Sequence, residues 1–253
     1  MTAAPVATAE RPRTDAGFTR YELEHWRSRY GVVAGITGRD AAEPLGLDRW
    51  PRSPDERDWQ RFLRLADGGC TGIVLGRQVH GVQIRHHREP LSGGALYQDT
   101  DGHLTTRAGI LLGILVADCV PVYLLEPRSG AVGLLHAGWR GTAAGIIERG
   151  VERLSAAAGV DPADVVMHCG VSICGDCYEV GPEVLEAVSG DRADGPAPLD
   201  LRRALVDRAR SAGVSAITVS SWCTAHDHDR FHSHRASSGD PGRMLAYLGR
   251  SVT

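Results

Sequence analysis

Between Ile110 and Gly141 the chain reads ILLGILVADCVPVYLLEPRSGAVGLLHAGWRG. This stretch holds three short apolar runs, and polar residues that chemistry can use follow two of them. Ile110 to Ala117 is too short to span a bilayer, so it reads as a buried strand. It delivers Asp118 and Cys119. Pro121 has no N–H for a ladder and marks an edge or a break. Val122 to Leu125 continues apolar, Pro-Arg-Ser-Gly turns the chain, and Ala131 to Leu135 brings it back to His136. Ala137-Gly138-Trp139-Arg140-Gly141 then leads into a helix. A thiol and an imidazole on neighbouring strand ends suit zinc, and a Gly-flanked helix start suits an anion. The competing reading is a core cysteine and a hydrogen-bonded structural histidine.

The remaining composition narrows the class. With 42% hydrophobic and 23% charged residues, the 253-residue chain has the balance of an ordinary globular protein. A net charge of −3 gives no basic excess for a nucleic-acid backbone, so no nucleic-acid partner is expected. Six cysteines are too few for a disulfide scaffold in a chain this long. Residues 1–15 lack the apolar core of an export signal, and no apolar run is long enough for a membrane span. The expectation is a cytoplasmic protein with a disordered tail over 1–17 and one domain over 18–253.

Along the chain, Tyr30 to Thr37 reads as a strand and Ala41 to Pro54 as irregular. A helix starting at Ser53-Pro54-Asp55-Glu56 carries Trp59, Phe62, Leu63 and Ala66 on one face and ends at Gly68-Gly69. Strands are expected over Thr71–Leu75 and Val82–Arg85. A loop is expected over Leu91–Gly102, with Asp99 and Asp101 as turn formers. Thr142 to Ala158 has the periodicity of one amphipathic helix. Asp164–Cys169 and Val214–Ser220 read as strands, Pro182–Val188 as a helix, and Asp200 as the cap of another. A His-rich loop covers Trp222–Asp240, and a closing helix is expected over Gly242–Leu248. Strands and helices alternate, but several adjacent strands lack a crossover helix. The fold class is therefore a layered α/β (α+β) structure with a mixed sheet rather than a purely parallel one.

Three His/Cys constellations compete for the chemistry. His80 (in RQVHG), Cys119 and His136 each follow a strand or apolar run; three such ligands leave the fourth tetrahedral position open, the layout of a catalytic zinc. Cys169, Cys174 and Cys177 contain one C-x-x-C without a second, and are assigned to packing and loop roles. Cys223 with His226, His228, His232 and His234 contains two H-x-H pairs. A multicopper site needs several such pairs, so this segment is read as a solvated loop bordering the active site.

Taken together, the chain resembles the YfiH-like family, also labelled laccase-domain or polyphenol oxidase. The resemblance rests on QVHG (Gln78–Gly81), DTDG-x-x-T (Asp99–Thr105), ADCVP (Ala117–Pro121), HAGWRG (His136–Gly141), CYEVG (Cys177–Gly181) and the C-terminal CT…FHSHR…GR (Cys223 to Arg243). It implies a sheet sandwich flanked by helices, with a metal site on His80, Cys119 and His136 that holds Zn2+, or Cu2+ if the polyphenol oxidase label is right. It also implies a purine nucleoside enzyme that catalyses phosphorolysis of adenosine, inosine, guanosine or methylthioadenosine, and adenosine deamination. Arg140 and Arg39 would hold phosphate, and Gln78 and Asp118 would border the substrate. Other members resemble peptidoglycan-precursor editing hydrolases, and a relative repurposed for a specialised pathway would keep the same metal ligands.

Overall fold

The computed structural model describes residues 6–15, 17–47, 53–237 and 242–252. In chain order the strands are β1 (Val6–Thr8), β2 (Arg11–Asp15), β3 (Phe18–Glu22), β4 (Val32–Thr37), β5 (Gly72–Gly76), β6 (Ile84–His87), β7 (Gly93–Tyr97), β8 (Gly102–Thr105), β9 (Ile110–Val116), β10 (Val120–Glu126), β11 (Ala131–Ala137), β12 (Val166–Cys169), β13 (Glu179–Val180), β14 (Ala197–Pro198), β15 (Ala216–Ser220) and β16 (Met244–Arg250). The helices are α1 (Glu24–Tyr30), α2 (Ala42–Leu45), α3 (Glu56–Leu63), α4 (Trp139–Ala143), α5 (Ile146–Ala158), α6 (Pro182–Ser189) and α7 (Leu201–Ser211). None is long and apolar enough to cross a membrane among the described residues.

Two seven-stranded mixed sheets form the frame, in the orders β1-β15-β12-β10-β11-β8-β6 and β2-β3-β4-β16-β9-β5-β7. The central runs lie inside them: β9 in the second sheet, the β10–β11 hairpin in the first. Their unbroken apolar character has a direct cause, since every residue of all three strands is buried. In β9, Ile110, Leu112 and Ile114 pack between the sheets while Leu111 and Leu115 pack under α3 with Trp59 and Phe62. In the hairpin, Tyr123, Leu125, Val132 and Leu134 face the inter-sheet core, and Val122, Leu124 and Leu135 face α5 and α7. Strands covered on both faces show no polar alternation. The result is a helix–sheet–sheet–helix sandwich, the expected fold class.

Several local expectations are corrected. Residues 6–15 of the expected disordered tail form β1, parallel to β15, and β2, antiparallel to β3; residues 1–5 and 16 lie outside the described set. Buried Glu10 anchors that segment, accepting from Ser220 and lying 3.0 Å from His168 Nε2. The expected loop over 91–102 contains β7, which pairs parallel with β5 and presses Gly94 against the Trp59 ring, where a Cβ would collide. The single helix over 142–158 breaks into α4 and α5 at Gly145, whose φ of 87° only glycine adopts at low cost. The closing helix is instead β16, paired with both β4 and β9: a long-range slot between two apolar strands overrides a seven-residue helical pattern. Pro121 lies within β10, near its start, rather than breaking it. Of the irregular 41–54 segment, Ala42–Leu45 is helical and residues 48–52 lie outside the described set, as do 238–240 of the His-rich loop.

Candidate metal centre and active site

The place where the chain leaves the second sheet and enters the first carries the chemistry. Between β9 and β10, Asp118 takes φ 82° and turns the backbone so that Cys119 is presented at the sheet end. His136 lies opposite Pro121 across the β10–β11 hairpin, two residues from Cys119. His80 comes from the loop after β5, also with a positive φ, 60°. Two non-glycine residues in this region cost about 1–3 kcal/mol each, and such strain gathers at functional sites. The ligand atoms of His80, Cys119 and His136 all lie within 4.8 Å of one another. The His80 and His136 rings are 4.9 Å apart between centroids, nearly perpendicular. A Cβ on Gly138 would stand 3.0 Å from Cys119 Sγ and 3.1 Å from a His80 ring carbon, so this glycine leaves the ligands their room.

A fourth residue organises the set. Asp101 is fully buried just before β8. Its Oδ1 accepts from the His80 N–H at 2.9 Å and lies 2.9 Å from His136 Nδ1; its Oδ2 accepts from Val79 N–H at 3.1 Å and Gly81 N–H at 2.8 Å. Asp101 therefore fixes the His80 loop and the His136 ring together, and with Nδ1 so engaged His136 has Nε2 left for a ligand role. Burial alone would raise this carboxyl, but the His136 and backbone hydrogen bonds hold it below its ordinary range. Burial would likewise raise the Cys119 thiol; the His136 charge and hydrogen bonds from His136 and His80 bring it down to about 6. Burial disfavours the His136 cation, yet Cys119 and Asp101 raise it to about 9. The site is thus built to keep a thiolate, the form in which cysteine binds metal. One thiolate and two imidazoles, with no fourth donor grouped with them among the described residues, fit a divalent ion with one open site.

A cavity of about 580 Å³ opens over the triad, lined among others by Gln78, Asp118, Trp139, Arg140, Tyr178, Arg235 and Arg243. Gln78 is spent on the scaffold: its amide both donates to and accepts from the backbone of Leu115, at 2.8 Å each, docking the His80 loop on β9. Asp118 accepts from Thr224 Oγ1 at 2.6 Å and Arg235 N–H at 2.7 Å, so it ties down the C-terminal loop. Arg140 stacks over Trp139, 4.3 Å from the ring centre, and has no hydrogen bond or ion pair among the described residues. Arg39 does not line this cavity; its guanidinium donates to the His228 carbonyl at 2.9 Å. Of the His-rich loop, His234 lines the cavity, His232 lies against Gly242, and His226 faces Cys174 and Cys177. The four histidines therefore do not form one ligand set. In the sequence Asp101 reads as a turn former, and Arg235 and Arg243 carry no assigned role, although all three fall inside the quoted motifs.

Comparison with known proteins follows this geometry. A family model described as "Multi-copper polyphenol oxidoreductase laccase" matches residues 56–251. A relative named purine nucleoside phosphorylase YlmD, from Geobacillus stearothermophilus, is 37% identical over 249 residues, covering 87% of this chain and 90% of that protein. Another, named adenosine deaminase RL5, from an unknown prokaryotic organism, is 35% identical over 195 residues, covering 72% of this chain and 71% of that one. The crystal structure of Bacillus licheniformis hypothetical protein YfiH superposes with a TM-score of 0.78 at 28% identity, over 94% of this chain and 98% of that one.

Proposed function

This chain belongs to the laccase-type, YfiH-like family and is an enzyme, and from that premise we propose that it is a zinc-dependent enzyme of purine nucleosides, with phosphorolysis as its principal reaction. The observation that carries the proposal is the open three-ligand centre of His80, Cys119 and His136 beneath a cavity whose rim bears Arg140, Arg235 and Arg243. A thiolate with two imidazoles favours zinc over harder ions. The cavity's volume is within the range of small-ligand sites. Among the described lining residues the carboxylate, Asp118, is already engaged, so Arg140 is open to an anionic co-substrate.

The chain's own residues would divide the work as follows. Arg140, its guanidinium over the Trp139 ring, would take phosphate through charge-assisted hydrogen bonds. Tyr178, whose ring faces the Arg235 guanidinium at 5.2 Å, offers an aromatic wall for the purine. A bound divalent ion would supply Lewis-acid stabilisation of developing negative charge at the open position. In phosphorolysis a phosphate oxygen forms a bond to C1′ as the C1′–N9 bond breaks; the base leaves with the bonding pair and takes up a proton. Adenosine deamination in the same cavity would add water at C6 and expel the 6-amino group as ammonia, leaving the 6-oxo nucleoside. The relatives' names support both reactions. The test is the zinc-loaded protein with inosine and adenosine, with and without phosphate. Phosphate-dependent base release supports phosphorolysis, ammonia release without phosphate makes deamination the main activity, and neither product discards the proposal.

A further inference from the structure

A second cluster of metal-ligating side chains lies outside the triad. Cys174 and Cys177, at either end of a short 3-10 turn over Gly175–Cys177, meet Cys223 and His226 from the C-terminal loop. One ligand atom from each of the four lies within 4.8 Å of all the others. The three cysteines are free thiols. His226 Nδ1 is 3.7 Å from Cys174 Sγ and His226 Nε2 is 3.2 Å from Cys177 Sγ. The two distances run to different nitrogens of the ring, one of which would bind; tetrahedral zinc, with Zn–S near 2.3 Å and Zn–N near 2.0 Å, would draw the four ligand atoms from within 4.8 Å to roughly 3.5–3.8 Å of one another.

The backbone supports the same reading independently. The N–H of Cys174 points at Cys223 Sγ at 3.3 Å. An N–H aimed at a cysteine sulfur is the kind of outer contact that orients a metal-ligating side chain. The Cys223 N–H donates to Asp227 at 3.0 Å, and a backbone bridge joins Ser172 to Cys223, so the two segments are brought into register before any metal arrives.

We propose that Cys174, Cys177, Cys223 and His226 form a second metal site, a closed Cys3His centre for zinc. Four protein ligands leave no open position, so this centre is structural. It staples the segment that gives Ile173 and Tyr178 to the cavity to the segment that gives it His234 and Arg235. Its effect on turnover is through the shape of that wall. The exposed His226 is the last ligand and the point of metal entry.

The test uses the full chain and does not depend on the nucleoside activity. Cys119→Ala removes the only thiolate of the triad, so metal bound through sulfur in that variant reports the second centre alone. Zinc content and the cobalt(II) spectrum are measured on Cys119→Ala purified under reducing conditions, and again after adding His226→Ala or Cys177→Ser. The proposal predicts one tightly held zinc per chain in Cys119→Ala and an intense sulfur-to-cobalt band of a tetrahedral thiolate site. Cys177→Ser should abolish that band, and His226→Ala should weaken zinc affinity at least tenfold, the lower end of what is lost when only a ligand's supporting partner is removed. In the zinc-loaded protein Cys174, Cys177 and Cys223 should resist alkylation and become reactive after chelation. His226 is exposed, so its replacement keeps the test valid if Cys177→Ser fails to fold. A folded Cys119→Ala protein without bound zinc, or a Cys174–Cys177 disulfide found by mass under reducing conditions, would overturn the proposal.

Discussion

Asp101→Asn is the most informative single substitution in the triad's surroundings. Four donors converge on this carboxylate, two on each oxygen. An asparagine keeps the shape but offers one acceptor oxygen and places an NH2 on the other side. Whichever way the amide turns, two of the four donors lose their acceptor and face another donor. Hydrogen bonds to a charged group are worth about 1.5–3 kcal/mol each, so two lost bonds cost about 3–6 kcal/mol in the buried site. Part of that falls on global stability and part on the metal, because His136 loses its orienting partner and the His80 loop its anchor. Loss of a partner of this kind typically weakens metal affinity about 10–100-fold. The assay is zinc affinity by chelator competition beside the thermal unfolding midpoint. Asp99→Asn is the control: Asp99 is exposed in the same turn at φ 49°, which Asn tolerates, so it should stay within about 0.5 kcal/mol of wild type. Wild-type zinc affinity and stability in Asp101→Asn would refute the argument that this carboxylate couples the two histidines.

Arg140→Ala should raise the phosphate KM about 10-fold or more with the fold intact, the equivalent of a lost charge-assisted contact of about 1.5–3 kcal/mol; unchanged phosphate dependence removes Arg140 from that role. Acid should destabilise the protein through His87 and His103, whose rings meet at 3.0 Å between β6 and β8. Burial and the Arg85 charge lower His87 to about 4, and burial with His87 lowers His103 well below its ordinary value. A group whose folded pKa is depressed favours folding above its unfolded pKa, so stability is lost as pH falls from about 6.5 towards 4 while the unfolded chain takes up protons. The His87→Gln, His103→Gln double variant should flatten this part of the stability–pH curve, and an unchanged slope would discard the assignment.

How much of this was legible in the sequence depends on the range of the interaction involved. The three central strands were readable because burial on both faces writes itself as an unbroken apolar run. The α3 start was readable to within a few residues because its signals are local, although Asp55, closing a capping box with Asp58, is the cap and Pro54 lies outside the helix. The triad was readable because each ligand follows such a run. Elements set by distant partners were not readable. Gly242–Leu248 becomes β16 only because β4 and β9 leave a slot for it. Residues 6–10 are ordered by neighbours some 200 positions away, such as Ser220 for Glu10 and β15 for β1. The Asp101 carboxylate reads as a turn former until the fold places four donors around it. Cys174 and Cys177 lack a second C-x-x-C because Cys223 and His226 supply the other half from a different loop.

The central claim is that His80, Cys119 and His136 hold a catalytic rather than a structural metal. Its most direct test is Cys119→Ala, read for turnover of inosine with phosphate and for thermal unfolding on one preparation. The core is large and intact without this thiol, so the unfolding midpoint should stay close to wild type while base release is abolished. Full turnover in the Cys119→Ala protein, with no metal at the triad, would contradict the account.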